Sequence, residues 1–208
     1  NLIWAALELY QATLQGLYLT AARGWAGVLD RHYWVAGPCG YAMSADDTGD
    51  VLVRLRSAAD DATPNANAVM ASKLATLAII AGETSFARRA SDIADAFSGD
   101  VARNPLGHAG LLAAAFDLIA PQLVIISKAA KADGCALEAV LNSVSMPGAA
   151  QFTVTGPRYD DVTNSLFEGK TNVAGKPAAY VCVGPQCTAP VTEPEELRRT
   201  LMITRSAL

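Results

Sequence analysis

Asp60-Asp61-Ala62-Thr63-Pro64-Asn65-Ala66-Asn67-Ala68-Val69 is a polar loop that runs straight into an apolar helix. Thr63 reads as the cap of that helix, and Pro64 as its first position, where no backbone N–H is needed. Asn65 and Asn67 then fall in the first turn, beside free N–H groups and the positive end of the helix dipole. The helix itself runs over about residues 64–81, with Val69, Met70, Leu74, Leu77 and Ile80 as its apolar positions. Gly82 closes it as a C-terminal cap. A loop of this kind is a place to hold a polar ligand, but by itself it names no reaction.

Upstream, Trp4, Leu7, Tyr10, Leu14 and Leu17 recur at three- and four-residue steps and predict a first helix ending near Gly16. Leu19, Ala22, Ala26, Leu29 and Tyr33 predict a second. Ala36-Gly37-Pro38-Cys39-Gly40-Tyr41 breaks the pattern and predicts a loop, with a short hairpin through Asp46-Asp47 and out along Val51-Leu52-Val53. Downstream, a fourth helix is expected over about 84–102 and a fifth over about 107–120. Pairs of helices joined by tight turns, with alanines between the large residues, are the pattern of stacked α-hairpins.

After residue 120 the pattern changes. Leu123 to Ser127, Ala150 to Thr155 and Pro177 to Val183 read as strands, and Cys135 to Val144 and Glu193 to Met202 as helices. Gly156 to Lys176 is rich in Gly, Asp, Asn and Thr and reads as an exposed loop. The expectation is a mainly α chain, with residues 1–120 as helical hairpins and 121–208 as a small α/β unit.

Composition excludes several classes. Hydrophobic residues make up 51% and charged residues 17%, which is a folding chain rather than a disordered one. The net charge is −4, from 16 basic and 20 acidic side chains with no basic stripe, so no nucleic-acid partner is expected. The apolar run Leu111–Ile126 is interrupted by Asp117 and Pro121, whereas a membrane span needs about 20 unbroken apolar residues. No P-loop, Rossmann glycine pattern or Gly-x-Ser-x-Gly elbow occurs, and no cofactor is expected. Cys39, Cys135, Cys182 and Cys187 form no dense disulfide framework, so a reducing, cytoplasmic setting is the default. The start at Asn1-Leu2-Ile3-Trp4, already in helical register, reads as a piece of a longer chain.

Four segments carry a family resemblance. They are Asp61-Ala62-Thr63-Pro64-Asn65-Ala66-Asn67; Ala102-Arg103-Asn104-Pro105; Glu168-Gly169-Lys170 through Gly175-Lys176-Pro177; and Ala179-Tyr180-Val181-Cys182 through Cys187 and Ala189-Pro190-Val191-Thr192. In this order they resemble the C-terminal region of the spermatogenesis-associated, thioredoxin-domain-containing protein family. The run from Lys176 to Cys182, with the second cysteine and Pro-Val-Thr-Glu-Pro-Glu-Glu-Leu after it, is the most specific element. The resemblance implies a longer parent with an N-terminal thioredoxin-like domain and an α/α toroid similar to N-acylglucosamine 2-epimerases and six-hairpin glycosidases. Residues 1–120 would then be part of that toroid. The thioredoxin-like part and its cysteine motif lie outside this chain, so no redox role is carried over from it.

That resemblance frames the candidate residues without settling whether the chain is an enzyme, and no catalytic residue is assigned. In a toroid wall, Tyr41, Asp46, Asp47, Arg54, Asp61, Asn65, Asn67 and His108 would line a cavity rim and bind a sugar or other polyhydroxy ligand. Each has a plainer reading. Asp46 and Asp47 can be a solvated turn, and as neighbours in an extended segment they would point opposite ways. Asp60, Asp61, Asn65 and Asn67 can be capping and loop-ordering residues. Arg54 and Arg56 can pair with those carboxylates or grip an anionic sugar. His32 reads as a helix-end residue, and His108 as structural or as a proton-transfer group. Cys182 and Cys187 form a thiol pair across a Gly184-Pro185 turn. Free structural thiols rank first, an oxidisable pair second and metal ligation last, because a structural zinc site needs four ligands. The carbohydrate reading predicts a concave patch at the rim. The alternative, an interaction module serving the absent thioredoxin-like domain, predicts an exposed apolar patch.

Overall fold

The computed structural model describes residues 1–129, 135–156 and 164–206 of the chain. It divides into two compact units, Asn1–Ile119 and Ala120–Leu208.

The first unit holds α1 (Leu2–Thr13), α2 (Gly16–His32), α3 (Ala66–Ala81), α4 (Thr84–Ala96), α5 (Ser98–Arg103), a 3-10 turn (Leu106–His108) and α6 (Ala109–Ile119). In α1 the buried face is Ile3, Ala6, Leu7 and Tyr10, while Trp4 and Leu17 are exposed. Leu7, Tyr10 and Leu14 are buried as the spacing predicts; Ile3 and Ala6 join them, and the two ends of the expected stripe lie outside. Leu14, not Gly16, ends α1: it takes the left-handed conformation (φ 58°) and its N–H reaches the Tyr10 carbonyl. Gly16 instead begins α2. Phe97 splits the expected 84–102 helix in two. Ser98 and Gly99 follow it, both weak helix formers, and the Ser98 hydroxyl donates to the Asp95 carbonyl at 2.8 Å.

The expectation of hairpins forming part of an α/α toroid is not met. The inner helix of a toroid keeps one face for the cavity. α3 has no such face: between Asn67 and Ile80 no residue is exposed. Both α4 and α6 pack along α3, α4 also meets α6, and α1 touches α3 from the α1–α2 pair. The alanines of α3 (Ala68, Ala71, Ala75) are buried, which lets neighbouring helices approach a hub from several sides. This is a helical cluster around a central helix.

One half-buried carboxylate in this cluster has a testable consequence. The Ser72 hydroxyl of α3 donates to the Asp117 carboxylate of α6 at 2.7 Å. Burial raises the Asp117 pKa, and the Ser72 hydrogen bond and Lys73 only partly oppose it. A raised carboxyl pKa means that the folded state loses stability as pH rises from the ordinary carboxyl pKa, where the unfolded chain ionises, to the raised one, above which the loss is complete. Asp117→Asn keeps an acceptor for Ser72 without the charge. It is expected to be more stable than the parent at pH 7, with the gap shrinking as pH falls and gone below about pH 3.9. Melting both proteins between pH 4 and 8 checks this. A variant less stable at neutral pH would mean that attraction to Lys73 outweighs burial.

The second unit is a four-stranded mixed sheet of β1 (Gln122–Lys128), β2 (Ala150–Thr155), β3 (Ala178–Val183) and β4 (Gln186–Cys187), in the order β2-β1-β3-β4. β1 runs parallel to β2, with Ile125 opposite Phe152, and antiparallel to β3, with Val124 opposite Val181. Being central, β1 is buried from Gln122 through Ser127, which is why it reads as a continuous apolar run. α7 (Ala136–Ser143) lies on the crossover from β1 to β2, and α9 (Pro194–Ser206) closes the unit. Val124, Ile126, Ala179 and Val181 meet Leu137, Val140, Leu141, Leu197 and Leu201 in one core. The 156–176 segment is not wholly an exposed loop. α8 (Asn164–Phe167) buries Leu166, and Phe167 packs edge-on against Phe152 at 5.3 Å. The Tyr180 hydroxyl then donates to the Thr171 carbonyl at 2.7 Å. Residues 157–163 of that stretch lie outside the described residues.

Candidate functional site

The chain between α2 and α3 is a long connection without regular strands: the expected hairpin through Asp46-Asp47 does not form, and the isolated bridge between Trp34 and Tyr41 closes the 36–40 loop instead. It is held on α3 by two amides. Asn65, not Thr63, caps α3. Its Oδ1 accepts from the N–H of Asn67 (2.9 Å) and of Ala68 (3.1 Å), and its Nδ2 donates to the Ser57 and Ala59 carbonyls. Pro64 therefore lies before the cap rather than inside the first turn. Asn67 is fully buried. Its Oδ1 accepts from the Tyr41 N–H at 2.7 Å, and its Nδ2 donates to the Tyr41 and Ser57 carbonyls, both at 2.9 Å. Both amides are spent on backbone groups.

The neighbouring residues follow the same logic. Gly40 has φ 102°, and a side chain there would meet the Arg56 guanidinium and the Phe97 ring at 3.0 Å. Arg56 donates to the Cys39 carbonyl and lies over Phe97 at 4.8 Å. Arg54 donates to the Ser44 carbonyl (3.2 Å) and to the His32 carbonyl (2.8 Å). Asp60 accepts from the Gly110 N–H at 2.7 Å and so satisfies a free donor at the start of α6. Asp61 is exposed and accepts from the N–H of Ala62. His108 is buried, with Nδ1 donating to the Asn104 carbonyl at 2.8 Å. The Tyr41 hydroxyl donates to Asp30 at 2.6 Å, while its ring meets Trp34 edge-on at 5.2 Å. Arg89 lies over Trp34 at 3.9 Å and pairs with the same Asp30. Burial first, and the Asp30 hydrogen bond second, push the Tyr41 phenol far above its ordinary pKa, so it stays protonated.

The residues expected at a rim are thus distributed. Tyr41, Asn65 and Asn67 are joined inside the connection; Asp61 and His108 are held separately. Asp46 and Asp47 stand in a turn with their carboxylates against one imidazole, that of His32. Its Nδ1 is 3.0 Å from Asp46 Oδ1 and 3.8 Å from Asp47 Oδ2. The expectation that the two carboxylates point opposite ways holds for an extended chain, and the turn removes it. The His32 hydrogen bond holds the Asp46 carboxyl below its usual range. His32, read from sequence as a plain helix-end residue, is the member that sequence reasoning missed. Among the described residues, only these three form a group of metal-ligating type.

In the second unit, Cys182 and Cys187 face each other across the β3–β4 hairpin and are joined in a disulfide rather than left as free thiols. Cys39 and Cys135 are free. No helix of the described residues is long and apolar enough to cross a membrane.

Against known proteins, no family model matches the chain. Relatives are found by direct comparison. The chain is similar to spermatogenesis-associated protein 20 over nearly all its length. It is 28% identical to the Homo sapiens protein over 200 residues, and 26% identical to the Rattus norvegicus and Mus musculus proteins over the same length. Each match covers 94% of this chain and 25% of the relative. The chain thus spans about a quarter of spermatogenesis-associated protein 20.

Proposed function

We propose that this chain is a non-catalytic interaction module that docks against another part of a longer protein, the thioredoxin-like domain implied by its family resemblance. The observation that carries this reading is an exposed apolar stretch in the α2–α3 connection. Leu52 is 100% exposed, Val53 70% and Leu55 68%. Met43, 66% exposed, lies beside them because its N–H donates to the Leu55 carbonyl. Scattered apolar residues on a surface need no explanation, but a connected group is a mark of an interaction site. The match to only a quarter of each relative supports a partner within the same polypeptide. A carbohydrate-binding role finds no such support: the amides that would grip hydroxyls are bonded to backbone, and the cavity was an expectation of the toroid.

The test is to mix the chain with the separately produced thioredoxin-like segment of its parent. A one-to-one complex is expected, and Leu52→Asp combined with Leu55→Asp should weaken it at least tenfold while leaving the melting temperature of the chain within about 2 °C. Failure of wild-type association would reject the reading. So would a melting-temperature rise of several degrees with one class of mono- or disaccharide, since a ligand at 100 times its Kd adds about 2.7 kcal/mol to stability.

A further inference from the structure

We infer that His32, Asp46 and Asp47 form a binding site for a divalent transition-metal cation, with Zn2+ as the fitting probe. The three side chains come from the last turn of α2 and from a turn fourteen residues on, and each offers one ligand atom, all within 4.8 Å of one another. Two atoms that share one zinc ion at 2.0–2.2 Å, in a tetrahedral arrangement, stand about 3.4 Å apart. Nδ1 of His32 lies 3.0 Å from Asp46 and 3.8 Å from Asp47, which brackets that value.

The arrangement is set by the backbone. The Asp46 N–H donates to the His32 carbonyl at 2.8 Å, and Arg54 donates to the same carbonyl. Imidazole and carboxylate together suit zinc and its first-row neighbours better than magnesium or calcium, which prefer oxygen alone. Two carboxylates outweigh the one nearby guanidinium, whose donors are already engaged on the His32 and Ser44 carbonyls. On binding, the ion takes the lone pair of Nδ1 of the neutral His32 ring, whose one N–H then sits on Nε2, and Asp46 changes from a hydrogen-bond partner of Nδ1 to a ligand. Three protein ligands leave a position open to water or to a ligand from outside.

Calorimetric titration of the full chain with Zn2+, in a Cys39→Ser background that removes the half-buried free thiol, is expected to show one bound equivalent. His32→Ala should abolish that binding. Asp46→Asn and Asp47→Asn should each weaken it at least tenfold, while Asp50→Asn, on the same loop but outside the group, should leave it unchanged. A second measurement needs no substitution at the site. The chain has two histidines, so Mn2+ added to it should broaden the imidazole signals of His32 and spare those of His108. Absence of binding up to millimolar Zn2+, binding that survives His32→Ala, or broadening of both histidines alike would overturn the assignment.

Discussion

Asn67→Ala, in the first turn of α3, is expected to destabilise the helical unit by about 3–4 kcal/mol. The side chain is wholly buried and its three hydrogen bonds end on the Tyr41 N–H, the Tyr41 carbonyl and the Ser57 carbonyl. Alanine leaves those backbone groups without their partner in a space that water cannot easily reach. Each made bond contributes about 1 kcal/mol net, and each orphaned group costs more than that. Asn67→Asp is no remedy, because it keeps one acceptor, loses both donors and buries a charge. Urea unfolding of the two variants checks the expectation. A loss under 1 kcal/mol for Asn67→Ala would show that the connection is held mainly by something else, such as Arg56 against Phe97 and the Cys39 carbonyl.

Leu197→Ala should cost the α/β unit a comparable 2–5 kcal/mol. Leu197 lies at the start of α9 with no exposed surface and fills the core formed with Val124, Ile126, Val181, Leu137 and Leu141. The expected loss is the transfer term for the removed atoms plus the cavity left behind, since sheet and helix relax only partly. Leu197→Met, nearly equal in volume, should cost under about 1.5 kcal/mol. If the two variants were equally stable, α9 would be a loosely attached helix rather than part of the core.

Local elements were readable where one physical rule acted alone. β1 is an apolar run because it is buried on both faces, and Gly82 ends α3 because a left-handed cap favours a residue without a Cβ. Readings failed where competing contacts from elsewhere in the chain decided. Thr63 is also a capping residue, but Asn65 can cap with its oxygen and at the same time hold the Ser57 and Ala59 carbonyls with its nitrogen. The α4–α5 break is local, but the ring of Phe97 is covered by Arg56, over forty residues earlier. The His32 group was hidden for a related reason. A fourteen-residue separation says nothing about proximity until the Asp46 N–H and Arg54 are seen to close the loop on the His32 carbonyl.

The sequence by itself determined the division into a helical part and a later α/β part, through apolar periodicities of about 3.6 and 2 residues that are properties of single elements. It also carried the resemblance to a family, which needs only residues in order. How the elements pack was decided by the tertiary structure alone. A helix with small residues on every side fits a toroid wall or a central hub equally well by its pattern. Only the bodies of α4 and α6, both lying along α3, distinguish the two, and with them in place no residue of α3 between Asn67 and Ile80 is exposed.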